Sequence, residues 1–341
     1  MKIAILDDYQ DAVRTLDCYA MLDGHAVTIW NDHVEDVEIL ASRLKYTEVL
    51  VLIRERSSIT AALLERLPRL KLISQHGVTP HIDLAACSRH GVIVSAGQYG
   101  RPSYATAEFA WGLIISAMRH IPQEVARLKA GHWQSTLGDV LHGRTLGIFG
   151  YGRIGALMAN YGKAFGMQVI VWGRATTLEK ARADGYQTAA SKQELFEQSD
   201  VLSLHLRLTD ATRGAVTAAD LAAMKPTALI VNTSRAQLIE AGALETALRA
   251  GRPGKAAIDV YEHEPLQGAD HALLALDNAL CTPHLGYVER DAYEFGFGKV
   301  FEQVLAYAAG APVQVVNADV LASSRGIGIK TTPAGDDMFS P

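Results

Sequence analysis

Short runs of consecutive apolar residues alternate with stretches of helical periodicity along the whole chain. Lys2–Leu6, Ala26–Trp30, Glu48–Ile53, Leu70–Ser74 and Val92–Ser95 are rich in Ile, Val and Leu and read as buried strands. Thr60–Arg66 and Ile82–Arg89 lie between them and carry a helical pattern. Continuous apolar strands separated by helices predict a parallel sheet covered on both faces, because a sheet wet on one side alternates apolar with polar. Ligands of such sheets bind at the carboxyl ends of the strands.

A second series of the same kind follows, at Thr145–Phe149, Gln168–Trp172, Val201–Leu204, Ala228–Asn232, Ala256–Asp259 and Ala279–Thr282. Between the two series lies Ser103–His120, rich in Ala, Leu and Ile and stopped by Pro122, which reads as a helix linking two domains. Asp291–Ala309 reads as another long helix that returns the chain to the first domain. The expected layout is a discontinuous first domain, residues 1–99 plus 288–322, around a second at 100–287. Residues 323–341, rich in Gly, Ser, Thr and Pro, read as a loosely held tail.

Composition narrows the class. The 341 residues suit about two domains. Hydrophobic residues at 49% and charged residues at 20% exclude a mostly disordered chain. A net charge of −5 without a basic block argues against nucleic acid or a membrane surface as partner. The longest apolar stretches, such as Ala110–Ala117, are too short to span a bilayer, and MKIAILDDYQ lacks the apolar core of a signal peptide. Cys18, Cys87 and Cys281 are few and widely spaced, so they read as reduced thiols in the cytoplasm, neither a disulfide frame nor a metal site.

The first chemistry-bearing motif follows the strand Thr145–Phe149. It is Gly150-Tyr151-Gly152-Arg153-Ile154-Gly155, a G-x-G-x-x-G turn between a strand and a helix. Gly150 permits the tight turn, Gly152 lets backbone approach a pyrophosphate, and Gly155 lets helix and strand pack closely. Free N–H groups and the helix dipole favour the anion there. The next strand ends in Trp172-Gly173-Arg174, without the Asp or Glu that binds the ribose 2′-OH of NAD. Glu179 and Asp184 come later. A missing acid and an arginine favour the 2′-phosphate of NADP. In the alternative reading Arg174 is a solvated surface charge and the cofactor is NAD.

Three polar groups stand at the ends of later strands: Asn232-Thr233-Ser234-Arg235, Asp259-Val260-Tyr261-Glu262-His263-Glu264-Pro265, and Thr282-Pro283-His284-Leu285-Gly286. A guanidinium, a carboxylate and an imidazole therefore converge. Reduction of a 2-oxo acid needs these functions. Arg235 offers a planar fork to a carboxylate, His284 a proton to the developing alkoxide, and Glu264 a partner that orients the imidazole.

These residues resemble the family of D-isomer-specific 2-hydroxyacid dehydrogenases, which includes phosphoglycerate dehydrogenase and glyoxylate/hydroxypyruvate reductase. The resemblance rests on GRTLGIFGYGRIG, HLRLTDATRG, MKPTALIVNTSRAQLIEAGALETALRAG, AIDVYEHEP and TPHLG, in that order, over most of residues 95–315. It implies two doubly wound α/β domains, Rossmann-like and flavodoxin-like, with the nucleotide domain inserted into the substrate domain. It implies that Arg235 binds substrate, that Glu264 and His284 form the acid–base pair, and that Asp259 contacts the nicotinamide carboxamide or supports the pair. His205, Thr233 and Ser234 then border the cofactor with the glycine turn. A homodimer through the nucleotide domain is also implied, with Trp133 of the extended segment Gly131–Leu141 at the interface. The chain departs from the family at Ala236 (usually Gly) and at Arg207 (usually Pro).

Two segments of the first domain are expected to meet substrate. One is Gln75-His76-Gly77-Val78-Thr79, where family members hold the carboxylate with backbone N–H groups, here those of Gly77 and Val78. The other is Ile53-Arg54-Glu55-Arg56-Ser57, with Arg54 reaching the distal end of the substrate. Phosphoglycerate dehydrogenases bind phosphate in this region, but Glu55 opposes a dianion. A small 2-oxo acid such as glyoxylate or hydroxypyruvate is therefore the expected substrate. Phosphoglycerate oxidation and a dinucleotide-sensing binding protein are the alternatives.

Overall fold

The computed structural model describes residues 1–97, 104–266 and 268–323. The boundary expected at residues 99 and 100, and all but the first residue of the expected tail, lie outside the described residues. The chain divides into two compact units, Met1–Arg101 with Arg290–Pro341, and Pro102–Glu289.

The first unit holds five parallel strands: β1 (Lys2–Ile5), β2 (Ala26–Ile29), β3 (Val49–Leu52), β4 (Leu72–His76) and β5 (Ile93–Gly97). Their order is β2-β1-β3-β4-β5, so the winding reverses between β1 and β3. The flanking helices start where a side chain satisfies a free N–H. Asp36 accepts from Ile39 ahead of Val37–Leu44, Thr60 from Leu63 ahead of Ala61–Leu64, and Asp83 from Ala86 ahead of Leu84–Arg89. These caps explain why two helices begin later than periodicity alone suggests: Thr60 is a cap, and Ile82 pairs with Ile59 in a short bridge. The returning helix, Arg290–Ala308, is tied to β4 by the buried Ser74 hydroxyl, which bonds the Val300 carbonyl and the Gln303 amide.

The second unit holds seven parallel strands: β6 (Thr145–Phe149), β7 (Gln168–Trp172), β8 (Gln187–Thr188), β9 (Val201–Leu204), β10 (Leu229–Asn232), β11 (Lys255–Ile258) and β12 (Ala279–Cys281). The order is β12-β11-β10-β9-β6-β7-β8, and the reversal falls between β6 and β9. Both faces are buried. Along β10 and β11, Leu229, Val231 and Ala257 enter one core while Ile230, Ala256 and Ile258 enter the other. This is why the strands are apolar without alternation. The helix Tyr104–Met118 belongs to this unit and buries Ala107, Ala110, Trp111 and Ile114 in the first of those cores.

Close packing at the amino end of β11 supplies a stability test away from any proposed chemistry. A Cβ on Gly254 would stand 1.9 Å from the Pro226 carbonyl oxygen. Gly254→Ala is expected to destabilise the protein by about 1–3 kcal/mol, measured by urea unfolding. An unchanged midpoint would show that the loop yields freely.

Candidate active site

The glycine turn sits at the reversal of the second sheet, the position at which doubly wound sheets bind ligands beyond the strand ends. Gly150 has φ +98°, and a Cβ there would meet the His205 carbonyl oxygen at 2.7 Å. Gly155 packs so tightly that a Cβ would lie 2.2 Å from the Gly150 carbonyl oxygen. At Gly152 a Cβ would meet nothing within 4 Å. Two glycines thus shape the turn and the third leaves open space. Gly152 precedes the helix Arg153–Ala164 without a side-chain cap, which leaves the first N–H groups of that helix available to an anion. Tyr151 is different: its side chain is buried, with its hydroxyl on Asp184, so only its backbone remains for a ligand.

Two buried polar atoms stand beyond the ends of the neighbouring strands β9 and β10. The Thr233 hydroxyl and His205 Nδ1 are buried and bond to nothing among the described residues. His205 Nε2 lies 2.9 Å from the Ser203 hydroxyl, and burial of the ring pushes its pKa down to about 4, so it is a neutral donor or acceptor. Ser234 spends its hydroxyl on the Leu204 carbonyl. The open cradle and the orphaned hydroxyl and imidazole nitrogen fit a polar dinucleotide. At the end of β7, Gly173 lies against Gly150, and Arg174 is exposed at the start of the helix Ala175–Ala183 without capping it.

The loops after β10, β11 and β12 bring Arg235, Glu264 and His284 together. His284 Nδ1 lies 2.5 Å from Glu264 Oε2. The other Glu264 oxygen accepts the Tyr261 N–H at 2.8 Å. Burial raises the Glu264 pKa, but the His284 bond and charge, the Tyr261 N–H and the Arg235 charge outweigh it and hold the carboxyl below its ordinary value. Arg235 is half-buried and donates to the Ser234 carbonyl at 2.7 Å.

His284 adopts φ +53°, a left-handed conformation rare outside glycine. Asp259, 0% exposed, holds that loop. Its carboxylate accepts the Thr282 hydroxyl at 2.7 Å, the Leu285 N–H at 2.8 Å and the Gly286 N–H at 2.9 Å. Burial raises the Asp259 pKa against the pull of these donors. Sequence reasoning assigned Asp259 a cofactor or supporting role and missed this clamp. It also missed Tyr261, whose hydroxyl bonds the Thr282 carbonyl at 3.0 Å, and Tyr287, whose ring stands edge-on to His284. The glycine after Leu285 was the available signal for a tight loop.

In the first unit, Arg54 takes φ +57° and its guanidinium lies over Gly77, 3.9 Å from where a Cβ would stand. Glu55 lies 3.8 Å from Arg54. His76 is half-buried; burial and then the Arg54 charge lower its pKa. One expectation is corrected here. The Gly77 N–H donates to the Gly97 carbonyl at 3.0 Å, extending the β4–β5 pairing, so it is not a free donor for a carboxylate. Val78 is exposed, and its carbonyl is held by the Gln75 amide.

Residues 111–286 match the family profile described as D-isomer specific 2-hydroxyacid dehydrogenase, NAD binding domain. The chain is 37% identical over 326 residues to the glyoxylate reductase of Aeropyrum pernix, covering 92% of this chain and 94% of that one. It is 37% identical over 270 residues to the D-3-phosphoglycerate dehydrogenase of Methanocaldococcus jannaschii, which is 78% of this chain but 51% of that protein. The chain thus spans about half the length of that second relative. Among solved structures it is similar to the phosphoglycerate oxidoreductase of Vibrio cholerae, with TM-score 0.87 and 53% identity over 91% of this chain and 99% of that one.

The depressed Glu264 pKa has a pH consequence. Its folded value lies below the ordinary 4.5, so its contribution to stability is fully present above that pH and is lost as pH falls through the folded value. The difference in urea midpoint between wild type and Glu264→Gln is expected at neutral pH and should shrink in strong acid. A difference that does not change with pH would contradict an ionised Glu264.

Proposed function

The chain belongs to the D-isomer-specific 2-hydroxyacid dehydrogenases, and on that premise we propose a reductase of small 2-oxo acids, glyoxylate or hydroxypyruvate, with NADPH as preferred reductant. The general activity follows from membership: the protein is an oxidoreductase with an NAD-binding domain that interconverts 2-oxo and D-2-hydroxy acids.

The observation that carries the proposal is the His284–Glu264 pair beside Arg235. The bound dinucleotide supplies the hydride, or accepts it in the reverse direction. Arg235 offers two parallel N–H groups to the substrate carboxylate and draws electron density from the neighbouring carbonyl. Glu264, ionised, accepts the Nδ1 proton of His284 and so leaves Nε2 to face the substrate. From Nε2 a proton reaches the carbonyl oxygen as it becomes a hydroxyl, and in oxidation the same atom takes it back. The backbone of the Gly150–Gly155 turn and Thr233, His205, Ser234 and Gly173 surround the cofactor site, while Asp259 holds the loop that carries His284. In the first unit, Arg54 and His76 stand at the ends of β3 and β4, on the side of that sheet where ligands bind.

NADPH preference rests on the strand end after Trp172. No carboxylate stands there, Asp184 is occupied by the Tyr151 hydroxyl, and Arg174 is exposed at a helix start. A small monoanionic substrate is favoured because Glu55 offsets the charge of Arg54. Phosphoglycerate oxidation is the second reading, favoured by the guanidinium of Arg54 over Gly77. We read the protein as a cytoplasmic homodimer. Three free cysteines suit a reducing compartment. Trp133, Leu137 and Val140, at 77%, 95% and 65% exposure, offer an apolar face of the second unit to a second copy. Among the described residues, no helix is long and apolar enough to cross a membrane.

The test is initial rates with NADH and NADPH against glyoxylate, hydroxypyruvate, phosphohydroxypyruvate and pyruvate. Turnover of the first two with NADPH is expected, and Arg174→Asp should shift preference toward NADH. Turnover of phosphohydroxypyruvate alone would establish the second reading. His284→Gln is expected to lower kcat by about 10²–10⁴-fold while dinucleotide affinity holds; a small effect would remove His284 as the proton donor.

A further inference from the structure

We propose that Tyr287 is a positioning residue for proton transfer: its ring, perpendicular to the His284 imidazole, fixes the plane in which Nε2 is offered to substrate. The inference rests on His284 being the proton donor.

The two rings stand with centroids 5.5 Å apart and planes at 83°, the edge-to-face arrangement that ring quadrupoles favour. The bond from Nδ1 to Glu264 restrains one atom of the imidazole but leaves the ring free to swing about that contact. A second restraint that does not lie along the hydrogen bond removes this freedom, and Tyr287 supplies it. The contact is not an accident of a loose loop. The two residues between His284 and Tyr287 donate their N–H groups to the buried Asp259 carboxylate. The Val288 N–H closes a turn on the Leu285 carbonyl at 2.9 Å. Tyr287 is thereby held at a set place relative to the imidazole. The His284 side chain is 27% exposed, so a wall on one side also limits how water competes for the ring. Tyr287 lies one residue beyond the TPHLG motif, and no motif or periodicity marks it.

The contribution of such an aromatic contact corresponds to about three- to tenfold in the population of correctly oriented rings. The experiment uses the full chain with saturating dinucleotide. It measures kcat, the KM for the 2-oxo acid and dinucleotide affinity for wild type, Y287F and Y287L, each alone and combined with H284Q. Y287L is expected to lower kcat about three- to tenfold with little change in KM or dinucleotide affinity. Y287F, which keeps the ring, is expected to restore kcat to within about twofold of wild type. In the H284Q background, Y287L is expected to have no further effect, because its target is gone.

Three outcomes would overturn the proposal while leaving His284 in place: a kcat for Y287L equal to wild type, a loss in Y287F as large as in Y287L, or a loss in Y287L that persists undiminished with H284Q. If H284Q itself turns over at the wild-type rate, the reading of His284 fails first and this inference falls with it.

Discussion

The carboxylate of Asp259 is the constraint on which the site depends. A non-glycine residue in the left-handed region costs about 1–3 kcal/mol, and His284 occupies that region at φ +53°. Three donors from the loop after β12, the Thr282 hydroxyl and the N–H groups of Leu285 and Gly286, converge on one fully buried carboxylate and hold the loop in that shape. Gly286 is part of the same arrangement, since a Cβ there would lie 3.2 Å from the Asp259 oxygen. The loop after β11 is closed onto the loop after β12 twice more, through Tyr261 to the Thr282 carbonyl and through Glu264 to His284. Strain in one residue is thus offset by a network that leaves few alternative positions for the imidazole.

That network stands where the sheet puts it. Seven parallel strands, the central ones buried on both faces, present all their carboxyl ends along one edge, so Arg235, Asp259, Glu264 and His284 arrive from three adjacent strands. The glycine turn and His205 face each other where the winding reverses, between β6 and β9. The first unit follows the same rule on its own sheet. Two of its left-handed polar residues, Asp7 and Arg54, follow the adjacent strands β1 and β3 at the reversal of that sheet.

Much of this was legible in the sequence because it depends on residue type and order. Unbroken apolar runs announced strands buried on both sides. G-x-G-x-x-G after β6 and the polar clusters after β10, β11 and β12 announced the edge where chemistry gathers. What was not legible depends on geometry between residues distant in the chain. The φ of His284 and the saturation of Asp259 arise only once β11 and β12 lie side by side. The Gly77 N–H looked available because the sequence does not show that Gly97 pairs with it. β8, two residues long, has too little pattern to register. Tyr151 illustrates the mixed case: its place in the motif was plain, but its burial on Asp184 was not.

The role of Asp259 is tested by comparing Asp259→Asn with wild type for kcat at saturation and for dinucleotide affinity. The amide presents a donor where the loop N–H groups need an acceptor, and a displacement of about 1 Å at a reacting group is worth about 10²-fold in rate. A large fall in kcat with dinucleotide affinity preserved is expected. An unchanged kcat with weakened dinucleotide binding would show instead that Asp259 serves the cofactor, and that the left-handed His284 loop stands without its clamp.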